Sequence, residues 1–168
     1  MSIAATLNAL NDAAARAVLT NCCAAGKWVD QMNAARPFAD DEALLAACND
    51  IAGTLNESDW LEAFAAHPLI GDIDSLREKY AATKPLAAGE QAGVDAASDA
   101  TLSELAALNQ TYLARFGFIF IVFATGKTAD EMLAILKSRI DDSREQEIAN
   151  AAAEQLKITQ LRLRKLQD

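Results

Sequence analysis

A single histidine, His67, stands in the run Phe64-Ala65-Ala66-His67-Pro68-Leu69-Ile70-Gly71-Asp72. It is the one side chain among 168 residues whose ordinary pKa lies near neutrality, so proton transfer at neutral pH falls to it first. Trp60, Leu61 and Phe64 recur at helical spacing and mark the apolar stripe of a short helix. Pro68 disfavours the α region for the residue before it, which ends that helix at or just before His67. A ring at such a corner can project into a cleft and work as acid and base. It can equally bond the last carbonyls of its own helix, where a cation favours the dipole.

Three other stretches carry groups that could bind or react. On a helical projection of the C-terminal segment, Ile148, Ala152, Leu156, Ile158, Thr159, Leu163 and Leu166 share one broad arc, and Arg162 falls inside it. A buried arginine is costly unless paired, so Arg162 is expected either in a structural salt bridge or as the anchor of an anionic or carbonyl-bearing ligand. Leu86-Ala87-Ala88-Gly89-Glu90-Gln91-Ala92-Gly93 combines small residues that permit close approach with one carboxylate and one amide, Glu90 and Gln91. Glu90 could also simply face water. Phe116 to Phe123 either plugs the core or lines a pocket in which Phe120, Ile121 and Val122 offer main-chain groups to a flat polar ligand.

The elements that must position these groups read as helices throughout. Alanine is abundant, proline scarce, and only Phe118 to Phe123 looks strand-like; it is too short and solitary for a sheet. Helical segments are expected over 3–24 with Asn11-Asp12 as a cap, and from Trp28 to before Pro37 after a break at Gly26. Asp40 or Asp41 caps the next, which ends at Gly53, and Asn56 caps the helix leading to His67. Further helices are expected over Ile73–Tyr80 and from Pro85 to about Val94. Capping boxes at Thr101-Leu102-Ser103-Glu104, Thr128-Ala129-Asp130-Glu131 and Ser143-Arg144-Glu145-Gln146 open the last three, and Gly117 closes the first of these. The expected architecture is all-α: a single-domain orthogonal bundle of about eight to ten helices over residues 1–168, without a sheet.

Composition narrows the partners. Hydrophobic residues make up 52% and aromatics 6%, enough for one core without disulfides or metal. A net charge of −9 argues against nucleic acid and anionic membrane as partners. No apolar run reaches the roughly 18 to 20 residues of a membrane span, and the N-terminus lacks the pattern of a signal peptide. Cys22, Cys23 and Cys48 lack metal-ligand spacing and read as buried thiols of a reducing cytoplasm. The final Leu166-Gln167-Asp168 is not a peroxisomal ending, which keeps the cytoplasmic expectation.

Taken in order, several segments resemble one family. They are Trp60-Leu61-Glu62-Ala63-Phe64 running into His67-Pro68, then Gly89-Glu90-Gln91-Ala92-Gly93, then Leu108-Asn109 with Tyr112. Arg115-Phe116-Gly117-Phe118, Phe120-Ile121-Val122, Ser143-Arg144-Glu145-Gln146-Glu147 and Leu161-Arg162-Leu163 follow. The family is 2-oxo-4-hydroxy-4-carboxy-5-ureidoimidazoline (OHCU) decarboxylase, of the urate degradation pathway.

The resemblance implies an all-helical lyase without cofactor or metal that converts OHCU to (S)-allantoin and CO2, and it is compatible with a homodimer. It implies His67 and Glu90 as catalytic residues. It places Pro68, Ala87, Gln91, Arg162 and the main chain of Phe120, Ile121 and Val122 against the substrate. Ala87 replaces the family's usual serine and Ile119 its usual proline. Two other readings stay open: a non-catalytic helical module that binds a partner helix, and a hydrolase acting on hydroxyisourate.

Overall fold

The computed structural model describes residues 1–69, 74, 76 and 91–167, excepting the side chains of 91–98. Among them are eight α-helices, one short 3-10 turn and no strand, so the chain is all-α as expected. They fall into two compact units: Met1–His67 with Ile148–Asp168, and Pro68–Glu147.

In the first unit, side-chain caps punctuate the chain. Ser2 caps α1 (Ile3–Ala9) and Asn11 caps α2 (Asp12–Cys22), each accepting a main-chain N–H three residues on. Asp40 does the same for α4 (Asp41–Ala52). Asn56 and Asp59 form a reciprocal capping box on α5 (Glu57–Ala65). The helix expected from Trp28 begins two residues earlier, as α3 (Gly26–Ala34). The Glu62 carboxylate accepts the Gly26 N–H, and a Cβ on Gly26 would stand 3.2 Å from that oxygen. Gly26 thus opens a helix instead of merely breaking one. Leu7, Leu19, Trp28, Met32, Leu44, Cys48 and Leu163 form the buried centre of this unit. Each large apolar side chain so placed contributes about 1.5–3 kcal/mol.

The second unit contains α6 (Gln91–Phe116) and α7 (Ala129–Arg139), which pack against each other. The expected helix start at Thr101 is overturned, because α6 is already running from Gln91. Thr101 donates its hydroxyl to Asp130 at 2.6 Å, and Glu104 pairs with Lys137 at 2.7 Å. Both capping-box side chains therefore bind α7 or its first turn, and the pattern lacks the helix end it needs. The expected helix over Ile73–Tyr80 falls outside the described residues except at positions 74 and 76, as do residues 85–90 of the next. Gly117 closes α6 at φ +80, and the chain from Phe118 to Phe123 is an extended link without strand pairing. Thr128 caps α7, and Ser143 accepts the Gln146 N–H to start α8 (Arg144–Arg164).

The face that α8 buries differs from the expected arc. Glu147, Ala151, Gln155, Thr159 and Leu163 are the buried positions, a strict four-residue repeat. Ile148, Ala152, Leu156 and Ile158 are only half-buried flanks. Three of the five buried residues are polar, which is why an apolar stripe sought in the sequence comes out rotated. Glu147, within the second unit, accepts the Tyr112 hydroxyl at 2.6 Å and the Arg139 Nε at 2.8 Å. Arg139 also donates to the Ile121 carbonyl at 2.8 Å, and its guanidinium lies 4.7 Å from the Phe120 ring centre. Burial first, and then the bond to Glu147, push the Tyr112 hydroxyl's pKa far upward. Truncating Glu147 would strand the Arg139 charge in the interior. Glu147→Ala should lose about 3–5 kcal/mol of stability in urea unfolding; a loss under about 1 kcal/mol would contradict this reading of the pair.

Candidate active site

The α5 helix delivers His67 through its buried face. Ala63 and Phe64 are buried, and Phe64 stacks on Trp60 with ring centres 6.3 Å apart. The helix then tightens: Ala66 N–H bonds the Ala63 carbonyl and His67 N–H the Phe64 carbonyl, at 3.4 and 3.1 Å. Pro68 has no N–H with which to continue the helix. His67 is half-buried at this corner and Pro68 exposed.

The ring does not fold back on its own helix. His67 Nε2 lies 2.6 Å from Gln155 Oε1 of α8, both within the first unit. Gln155 is 1% exposed, and its amide nitrogen donates to the Thr159 hydroxyl at 3.2 Å. Thr159 in turn donates to the Gln155 main-chain carbonyl at 2.9 Å, the back-bond common for threonine inside a helix. Gln155 and Thr159 are functional neighbours that the sequence reading missed. The clue available was that Glu147, Gln155 and Thr159 fall at multiples of four residues along one helix line that ends at Leu163.

Arg162 departs from expectation. It is exposed, one position off the buried line, and donates to the Asn21 carbonyl in the last turn of α2 at 3.1 Å. No carboxylate partner is found for it among the described residues. A cation there satisfies an orphan carbonyl and complements the helix dipole, and both effects are compatible with a guanidinium that keeps donors to spare. Among the described residues the buried arginine is Arg139 instead.

In the second unit, Ile121 is buried while Phe120 and Val122 are half-buried. Arg139 occupies the Ile121 carbonyl, which holds this irregular link in place. Among the described residues, no hydrogen bond satisfies the main-chain N–H groups of Phe120, Ile121 and Val122. The link therefore keeps these three donors for a ligand, while the Ile121 carbonyl is already taken. Ala87 and Glu90 lie outside the described residues, and Gln91 is the first residue of α6. No group of three or more His, Cys, Asp or Glu suited to hold a metal occurs among the described residues.

A family model described as OHCU decarboxylase matches residues 8–164. The chain belongs to the OHCU decarboxylase family. An Arabidopsis thaliana member, "Uric acid degradation bifunctional protein TTL", is 38% identical over 145 residues, covering 86% of this chain and 45% of that protein. A Haloferax volcanii OHCU decarboxylase is 27% identical over 137 residues, covering 81% of this chain and 79% of its own length. The chain thus spans less than half of the Arabidopsis relative, and 27% of a Bacillus bifunctional relative. A crystal structure of OHCU decarboxylase in the presence of (S)-allantoin matches with a TM-score of 0.70 at 37% identity, over 94% of this chain and 98% of that one. An (S)-allantoin synthase structure, at 21% identity and a TM-score of 0.70, shares the fold over 99% of this chain and 54% of its own.

The cysteines of this family member lack the character of nucleophiles. Burial pushes the Cys22 thiol up to about 11 and Cys48 up to about 12. Cys23, beside Thr159, is raised chiefly by burial as well. All three are free and buried. Iodoacetamide at mildly alkaline pH should leave them unmodified in the folded protein and label all three after denaturation, read by mass spectrometry. Rapid labelling of the native chain would contradict the burial.

Proposed function

We propose that the chain decarboxylates OHCU to (S)-allantoin, as an enzyme of urate degradation. Membership of the family supports this reading. The observation that carries it is that the one imidazole of the chain is held at 2.6 Å by a buried amide at a helix corner. A histidine serving only as a helix cap has no need of a buried partner 88 positions away.

The chemistry suits such a residue. Loss of CO2 leaves an electron pair on the former carboxylate carbon, and the substrate's adjacent C=N system accepts it. The 4-hydroxyl then gives up its proton to become a carbonyl, and a proton delivered on one face to the adjacent ureido-bearing carbon gives a single enantiomer. Orientation and proton transfer are what the protein supplies. We assign the proton exchange with the 4-hydroxyl or the nascent enolic centre to His67. Glu90 orients the imidazole or a ring N–H, and Arg162 holds the anionic or carbonyl edge of the substrate. The N–H groups of Phe120, Ile121 and Val122 suit a carbonyl or carboxylate oxygen, with Pro68, Ala87 and Gln91 as further substrate contacts. A homodimer and a cytoplasmic setting complete the proposal. Three free thiols suit a reducing compartment, and no helix among the described residues is long and apolar enough to cross a membrane.

A helical interaction module would need an exposed apolar face. Among the described residues the exposed large hydrophobics are Met1 and Leu69 alone, so nothing favours that reading. Freshly generated OHCU followed by circular dichroism tests the activity directly, since only a decarboxylase speeds the appearance of optically active allantoin. His67→Ala should remain folded and lose roughly 10²- to 10⁴-fold in rate. Full activity in that variant would remove His67 from the chemistry. Arg162→Lys should raise KM, because an ammonium cannot copy the bidentate fork. An unchanged KM would leave Arg162 as the α2 cap alone.

A further inference from the structure

Each link of the chain His67–Gln155–Thr159 determines the next. A carbonyl has no proton to give, so the 2.9 Å contact between Thr159 Oγ1 and the Gln155 main-chain oxygen uses the only hydroxyl proton Thr159 has. What remains on Oγ1 is acceptor capacity, which the amide nitrogen of Gln155 meets at 3.2 Å, with the Cys23 thiol bonded to the same hydroxyl. The amide oxygen of Gln155 is thereby turned toward the imidazole. The amide oxygen lies 2.6 Å from Nε2, while the amide nitrogen is taken up by Thr159. An amide oxygen only accepts, so Nε2 of His67 carries the hydrogen. In the neutral ring the lone pair is then on Nδ1.

We propose that Gln155, locked in orientation by Thr159, is a positioning residue that holds His67 as the Nε2–H tautomer and makes Nδ1 the nitrogen that exchanges protons with substrate. Which nitrogen is metallated or reactive in a histidine is commonly set by the bond the other one makes. Here that bond comes from a neutral, buried amide, which accepts from the neutral imidazole and from the imidazolium alike. The ring can gain and lose its Nδ1 proton without losing its hold on α8. A carboxylate in that place would favour the cation and a hydroxyl could reverse its bond. Burial of both Gln155 and Thr159, at 1% exposure each, excludes water as a competing partner that would let the amide flip.

The tautomer part of this inference stands by itself, while the role of Nδ1 rests on the decarboxylase reading; two measurements separate them. Because the chain has one histidine, ¹⁵N-histidine labelling gives one pair of ring-nitrogen signals, recorded without substrate above the ring's titration. The wild type should show the proton on Nε2. Gln155→Met should shift the ring toward a mixture of tautomers. Thr159→Val, which leaves the helix intact but frees the amide to turn, should shift it part of the way. A wild-type ring protonated on Nδ1, or a tautomer ratio unmoved in both variants, overturns the inference whatever the enzyme's activity. In turnover of OHCU, Gln155→Met should lower kcat about 10- to 100-fold with little change in KM, the scale usual for partners that orient a reacting group. A variant with altered tautomer and unaltered kcat would overturn the role of Nδ1 alone. A wild type with the expected tautomer but no OHCU turnover would instead refute the decarboxylase reading.

Discussion

Polar groups taken out of water must find partners inside, and one face of α8 shows what that requirement does to a fold. Glu147 and Gln155 lie on the same line of the helix, eight residues apart, both almost wholly buried. Leaving either without a partner would cost about 1–3 kcal/mol, more for the carboxylate. Glu147 is satisfied by Tyr112 and Arg139, and Arg139 also donates from Nη1 to the Ile121 carbonyl, while its buried Nη2 has no partner among the described residues. Gln155 is satisfied by His67 and Thr159. In both cases the demand for a partner is met by a residue that the proposed chemistry would use or whose neighbour it would use. An apolar α8 face would pack as well and hold neither the imidazole nor the link at Phe120 to Val122.

The same logic explains the contrast between the two arginines. Arg139 is buried, hydrogen-bonded to a carboxylate and a carbonyl, and placed over the face of Phe120, so its work is structural. Arg162 is exposed, and among the described residues it bonds a helix-end carbonyl. A guanidinium with five donors that spends one on its own scaffold keeps a planar edge for a ligand. Its exposure removes the desolvation cost that the arc reading assigned to it.

Helix starts were legible because they are local. Asn11, Asp40, Asn56 with Asp59, Thr128 and Ser143 each cap where their spacing indicated, and Gly117 ends α6 in the left-handed region. Thr101 carries the same pattern and fails, because its hydroxyl and the Glu104 carboxylate found partners on a neighbouring segment that no local window contains. The buried face of α8 was illegible for a related reason. Sequence patterning treats Glu147, Gln155 and Arg139 as outward-facing, and only their tertiary partners make burial affordable. His67 stood out as the lone histidine before a proline; what its ring bonds could not be read from any spacing.

The central claim, that the buried amide of Gln155 acts through the imidazole of His67, is tested most directly by a double-mutant cycle on kcat for OHCU. If the two form one unit, Gln155→Met should cost activity in the wild-type background and nothing further once His67 is alanine. Losses that simply multiply, with Gln155→Met equally harmful when the imidazole is gone, would contradict the account.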